Sequence, residues 1–175
     1  MVLEIRKYGD PVLKKESQNV ETIDDNIKKL LDDMVDTMRE ASGVGLAAPQ
    51  VGINLNVVVI EIEGKVRKLI NPEIIAKSAE EETVEEGCLS IPGVWEKVKR
   101  AARVKVKYTN ENGEEVIEEG EGLLGRAFQH EIDHLKGVVF VERISSLAKN
   151  LLAKKLLKMK KETLRIMKEE EGIKL

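Results

Sequence analysis

The chain has 175 residues, 42% of them hydrophobic and 35% charged, with a formal net charge of −3. That length suits one domain with a sizeable core, and the near-balanced charge excludes a generic polyanion binder. The single cysteine excludes an intrachain disulfide and fits a reducing compartment.

No apolar run is long enough to span a bilayer, so no membrane partner is expected. The stretch Met1 to Leu13 lacks the apolar core of a signal peptide, and the expectation is a cytoplasmic protein. Met1 to Lys15 reads as an irregular arm with a turn at Gly9-Asp10-Pro11. The spacing of Ile27, Leu30, Leu31, Met34 and Met38 predicts a helix over 24–42, capped by Thr22 or Asp24 and ended by Gly43.

Gly43-Val44-Gly45-Leu46-Ala47-Ala48-Pro49-Gln50 follows. Its small residues match no nucleotide-binding fingerprint and, alone, read as a tight connection. Val57 to Ile62 is a buried strand by its β-branched run, with Val66 to Ile70 as its partner. Asn71-Pro72 breaks the pattern, and the acidic cluster Glu80 to Glu82, Glu85 and Glu86 reads as a solvated edge. Strands Val94 to Lys99 and Arg103 to Thr109 alternate apolar and charged residues, and Asn112-Gly113 turns the chain into Glu114 to Glu118.

Gly122 to Leu135 is helical by the recurrence of Leu124, Phe128, Ile132 and Leu135, with Gly137 as its stop. It carries His130-Glu131-Ile132-Asp133-His134, the pattern H-E-x-x-H, and these are the only histidines of the chain. Imidazoles four residues apart share one helix face and can hold one metal ion, with the intervening Glu131 as general base. A catalytic site of this type takes three protein ligands. The third is open among Cys, Asp and Glu. Cys88, otherwise a small buried hydrophobe, completes a Cys-His-His set, while Glu142 offers the carboxylate of an ordinary metalloprotease.

From Ser145 to Lys168 one long helix is expected, with Leu147, Ala148, Leu151, Leu152, Leu156, Met159 and Met167 on its apolar side. Between Lys149 and Lys168 lie eight Lys or Arg against one acid, Glu162. That face is either solvated or a dock for nucleic-acid phosphate. The fold class is α+β: short antiparallel sheets packed around a central metal-binding helix, with a long C-terminal helix, in one domain over 1–175.

Three segments resemble the peptide deformylase family in content, order and separation: Gly43 to Gln50, Glu86-Gly87-Cys88-Leu89-Ser90, and Gln129 to His134. The resemblance covers nearly the whole chain. It implies that Cys88, His130 and His134 hold one divalent metal, Fe2+ by nature, in a mixed N/S set that also accepts Zn2+, Ni2+ or Co2+. It implies Glu131 as acid/base, and Gln50 with the backbone N–H of Leu89 as donors to the oxyanion. Gly45 and Gly87 would flank the substrate backbone, and Val44, Leu123 and Ala127 match the slot for a methionine side chain. The reaction implied removes formyl from the N-terminal formyl-methionine of nascent peptides, which makes the ribosome the partner for the basic helix. Two departures stand out. Trp95 replaces a frequent Arg at the substrate mouth, and Arg126 stands where an apolar residue is frequent.

Overall fold

A computed structural model describes the backbone of residues 1–174 and the side chains of residues 1–172. Helix α1 (Asp25–Glu40) starts where the Asp24 carboxylate accepts from the Ile27 N–H at 3.0 Å, filling one of the donors a helix start leaves free. Its stripe Leu31, Met34 and Met38 is buried against one face of a five-stranded antiparallel sheet.

That sheet comprises β1 (Gly45–Ala47), β2 (Val57–Ile62), β3 (Lys65–Lys77), β6 (Arg103–Thr109) and β7 (Glu115–Glu121), paired in that order. Successive strand residues face opposite sides. Val57 and Val59 therefore meet α1, while Val58 and Ile60 meet helix α2 (Gly122–Leu135) on the other face. Burial on both faces is why β2 is an uninterrupted apolar run. Phe128, Ile132 and Leu135 of α2 pack there on Val104 and Val106.

A second, two-stranded sheet pairs β4 (Glu81–Cys88) with β5 (Ile91–Ala101). Its apolar side, Ile91, Val94 and Val98, is covered by Val139, Phe140 and Ile144 and by helix α3 (Ser146–Lys174) through Leu152, Leu156 and Met159. The α+β class, the antiparallel pairing and the long C-terminal helix are as expected from the sequence.

Several local expectations are corrected. Gly45 to Val51 is a short strand followed by a 3₁₀ turn, Ala48–Val51, because its backbone pairs with β2. Asn71-Pro72 bulges β3 without ending it. Asn71 takes φ 52, and its side-chain amide bonds both the N–H and the carbonyl of Val20, so the strand resumes against β6. Helix α1 ends before Gly43, with Ser42 in the left-handed region at φ 57. Of the acidic cluster, Glu80, Glu81, Glu82 and Glu85 are exposed as expected, but Glu86 of β4 is buried. Leu147 and Leu151 of α3 are 68% and 76% exposed and do not join the core.

Candidate metal centre

Helix α2 ends in a left-handed Gly137 at φ 75, with the Val138 N–H returning to the Asp133 carbonyl at 3.0 Å. The last full turn before that stop carries His130 and His134, whose ring centroids are 5.0 Å apart. Cys88 closes β4, and the chain reverses at once so that Cys88 pairs with Ile91. This reversal aims the thiol at the helix. Sγ of Cys88 lies 3.4 Å from His134 Nε2, and the three potential ligand atoms of Cys88, His130 and His134 all lie within 4.8 Å of one another. A soft sulfur and two imidazole nitrogens at such spacing fit a single borderline transition-metal ion. His130 turns Nδ1 to Glu86 Oε1 at 2.9 Å, which leaves Nε2 for an ion.

The charges around the pair are arranged asymmetrically. Burial opposes charge on His130, but Glu131, Cys88 and Glu86 outweigh it and hold its pKa well above 6.5. Burial and then the positive charge of His130 push His134 well below the same value. Two ligating imidazoles must both be neutral at the bonded nitrogen, so metal loading would release a proton here.

Glu131 is 5% exposed, and its Oε1 is buried without a protein partner. Burial is the main reason its pKa rises to about 7. A Cβ on Gly45 would lie 2.6 Å from the Glu131 Oε2, so the missing side chain of Gly45 is the space this carboxylate occupies. Gln50 is pinned at both ends. Its Oε1 accepts from the Ala47 N–H at 3.0 Å, which fixes the amide orientation. Its Nε2 donates to Ser90 Oγ at 3.1 Å and points at Cys88 Sγ at 3.5 Å.

A cleft of 490 Å³ opens beside these groups, lined among others by Val44, Trp95, Leu123, Ala127, His130 and Glu131. Val44 and Leu123 are 43% and 55% exposed into it, so they are not core residues, whereas Ala127 is buried. Leu89 and Gly87 lie on the same rim. The Trp95 ring rests on Gly87, where a Cβ would come within 2.5 Å of it.

Three contributors were given no role at the site by the sequence: Glu86, Arg100 and Ser90. Arg100 grips Glu86 through Nε at 2.6 Å and Nη2 at 3.0 Å, and reaches Asp133 at 2.9 Å. Burial works against the Glu86 carboxylate, but bonds from His130 and Arg100 prevail and draw its pKa down to about 2. The one available signal was alternation. Arg100 falls two residues after the inward Val98, on the buried side of β5. Glu86 was hidden by its acidic neighbours.

A Cys-His-His group that could hold one metal ion, with a buried carboxylate at the head of an apolar cleft on an α+β frame, has the make-up of a metallohydrolase site. Residues 2–150 match the family model for polypeptide deformylase. The chain is 51% identical over 174 residues to a peptide deformylase of Fusobacterium nucleatum, covering 98% of this chain and 100% of that protein. It superposes on the crystal structure of the Thermus thermophilus peptide deformylase with a TM-score of 0.87 at 42% identity, covering 93% of this chain and 99% of that one. On the Synechococcus elongatus enzyme in complex with actinonin the TM-score is 0.83 at 45% identity, with 87% and 85% coverage. The chain belongs to the polypeptide deformylase family.

Proposed function

We propose that this protein hydrolyses the formyl group from the N-terminal formyl-methionine of newly made polypeptides, working in the cytoplasm as one catalytic unit built around α2. The observation that carries the reading is the convergence of Cys88, His130, His134 and Glu131 at the head of an apolar cleft. Cys88, His130 and His134 would hold one divalent ion, Fe2+ in the working enzyme, which lowers the pKa of water towards about 7 and polarises the carbonyl.

The chain's own groups then do the rest. Glu131 takes a proton from the attacking water and returns it to the departing amine. A carboxyl whose pKa burial has raised to about 7 suits both halves of that transfer. Gln50 Nε2 and the Leu89 backbone N–H stabilise the oxyanion, the Gln50 amide staying anchored on Ala47 and Ser90 while the N–H that faces Cys88 Sγ turns to the developing charge. The peptide backbone lies along the cleft edge that carries Gly45 and Gly87, whose missing side chains leave room for Glu131 and the Trp95 ring. The methionine side chain enters the slot of Val44, Leu123 and Ala127. A formyl carbonyl bears only hydrogen on its far side, so a narrow site disfavours the bulkier acetyl analogue.

The exposed basic face of α3 is proposed to dock on ribosomal RNA phosphate by counterion release. Among the described residues no helix is long and apolar enough to cross a membrane.

The test is formate release from a formyl-Met tripeptide, with metal content measured on the same sample and acetyl-Met peptide as comparison. Brisk cleavage of internal peptide bonds with no formate released would replace this reading with that of a protease.

A further inference from the structure

Glu86 is saturated by four donors. Oε1 accepts from His130 Nδ1 at 2.9 Å and Arg100 Nη2 at 3.0 Å, and Oε2 accepts from Arg100 Nε at 2.6 Å and Arg126 Nη1 at 2.7 Å. Arg126 does more than pair with this carboxylate. Its Nη1 also donates to the Val98 carbonyl at 3.0 Å, and its Nη2 to the Glu82 carbonyl. One guanidinium thus joins three elements: α2, on which it sits, β4 through Glu82 and Glu86, and β5 through Val98.

Those elements are the ones that carry the candidate ligands. The β4–β5 pair presents Cys88, and α2 presents His130 and His134. Arg126 precedes His130 by one helical turn, so both side chains leave the same face and converge on Glu86. Burial matters here as well. Arg126 is 8% exposed and its partners Glu86 and Val98 are 8% and 0% exposed, so water does not substitute for these bonds if they are lost. Arg126 meanwhile lines the cleft together with Leu123 and Ala127.

We propose that Arg126 is a positioning residue for the metal centre. It fixes Glu86, and through Glu86 the His130 ring, and it sets the distance between the Cys88-bearing strand pair and the histidine-bearing helix. It touches neither ion nor peptide amide. The proposal rests on the reading of Cys88, His130 and His134 as metal ligands.

The experiment uses the full chain loaded with Co2+, whose affinity is read by chelator competition and whose ligand geometry is read from its visible absorption. Arg126→Met keeps the stem and removes every donor. It is expected to weaken Co2+ binding by about 10–100-fold, the usual effect of losing a partner behind a ligand, and to alter the spectrum. KM for formyl-Met peptide should stay within about threefold, since uniform substrate binding is untouched. Arg126→Lys, with a single point donor, is expected between the two. Arg67→Met, which breaks the ion pair to Glu118 on the far strands, serves as control. It should lower Tm without moving Co2+ affinity.

Wild-type Co2+ affinity and spectrum in Arg126→Met overturn the proposal, whatever its Tm. So does a raised KM with Co2+ binding intact, which would make Arg126 a wall of the substrate slot only. If Arg126→Met does not fold, wild-type affinity in Arg126→Lys overturns it equally. Failure of the underlying reading is distinct: Co2+ would then bind His134→Ala as tightly as wild type.

Discussion

Gly45→Ala is a small substitution with a calculable target. The added Cβ would stand 2.6 Å from Glu131 Oε2 and 3.0 Å from both Cδ and Cγ. Ordinary packing contact begins near 3.4 Å, so the carboxylate oxygen must retreat by about 3.4 − 2.6 = 0.8 Å. The end of a side chain can move that far at little cost in stability, within the roughly 1–3 kcal/mol of an overpacked site. Its chemistry cannot follow. A displacement near 1 Å of a reacting group costs about 10²-fold in rate, or about 2.7 kcal/mol of barrier. Gly43→Ala is the matched comparison. There the Cβ would meet Leu89 Cδ1 at 2.7 Å, the free end of a half-buried side chain that takes no part in the chemistry. Both variants are assayed by steady-state formate release, with metal content and Tm on the same preparations. Gly45→Ala should keep its metal and lose about 10²-fold in kcat, with Gly43→Ala far milder. A folded, metal-loaded Gly45→Ala within about threefold of wild-type kcat refutes the claim that Gly45 exists to admit Glu131.

The remaining substitutions sort by what each group does. Glu131→Gln should retain metal and bind peptide yet lose about 10²–10⁴ in turnover, whereas His134→Ala should lose metal first. Near-normal deformylation by metal-loaded Glu131→Gln would sink the acid/base role. Glu86 links the centre to acid stability. Its pKa of about 2 lies below the ordinary 4.5, so it stabilises the fold above pH 4.5 and this is lost as pH falls through about 2. That difference is worth roughly 3 kcal/mol at about 1.4 kcal/mol per unit, and urea titrations from pH 6 downward should show a flatter acid limb for Glu86→Gln; parallel curves count against it. Iron-loaded enzyme prepared without oxygen should lose activity in air while nickel or cobalt enzyme persists, and equal lifetimes argue against iron as the working ion. Reversing Lys154, Lys158 and Lys161 to Glu should remove salt-sensitive ribosome binding and spare activity on free peptides; unchanged ribosome affinity dismisses docking through α3.

Much of this protein was legible in one dimension. An unbroken β-branched run gave β2, period-two alternation gave β6, period-3.6 stripes gave α1 and α2, and Gly137 marked the end of α2, because each pattern reflects a side-chain geometry repeated along a single element. The histidine pair was visible for the same reason, since four residues of helix place both rings on one face. Cys88 was a candidate as the single cysteine of the chain, but its choice over Asp or Glu rested on the resemblance of its flanking motif, because it sits 42 and 46 residues away on another element. The tertiary structure alone decided the groups that hold the site in place. Glu86 looked like one acid among several until β4 turned it inward towards His130; Arg100 drew no reading and Arg126 only that of an unusual residue at the side-chain slot, until two strands of one sheet and a helix closed around one carboxylate. Ionic pairing of that kind has no period. It arises where separate elements meet, and desolvation there makes a partner obligatory for each buried charge.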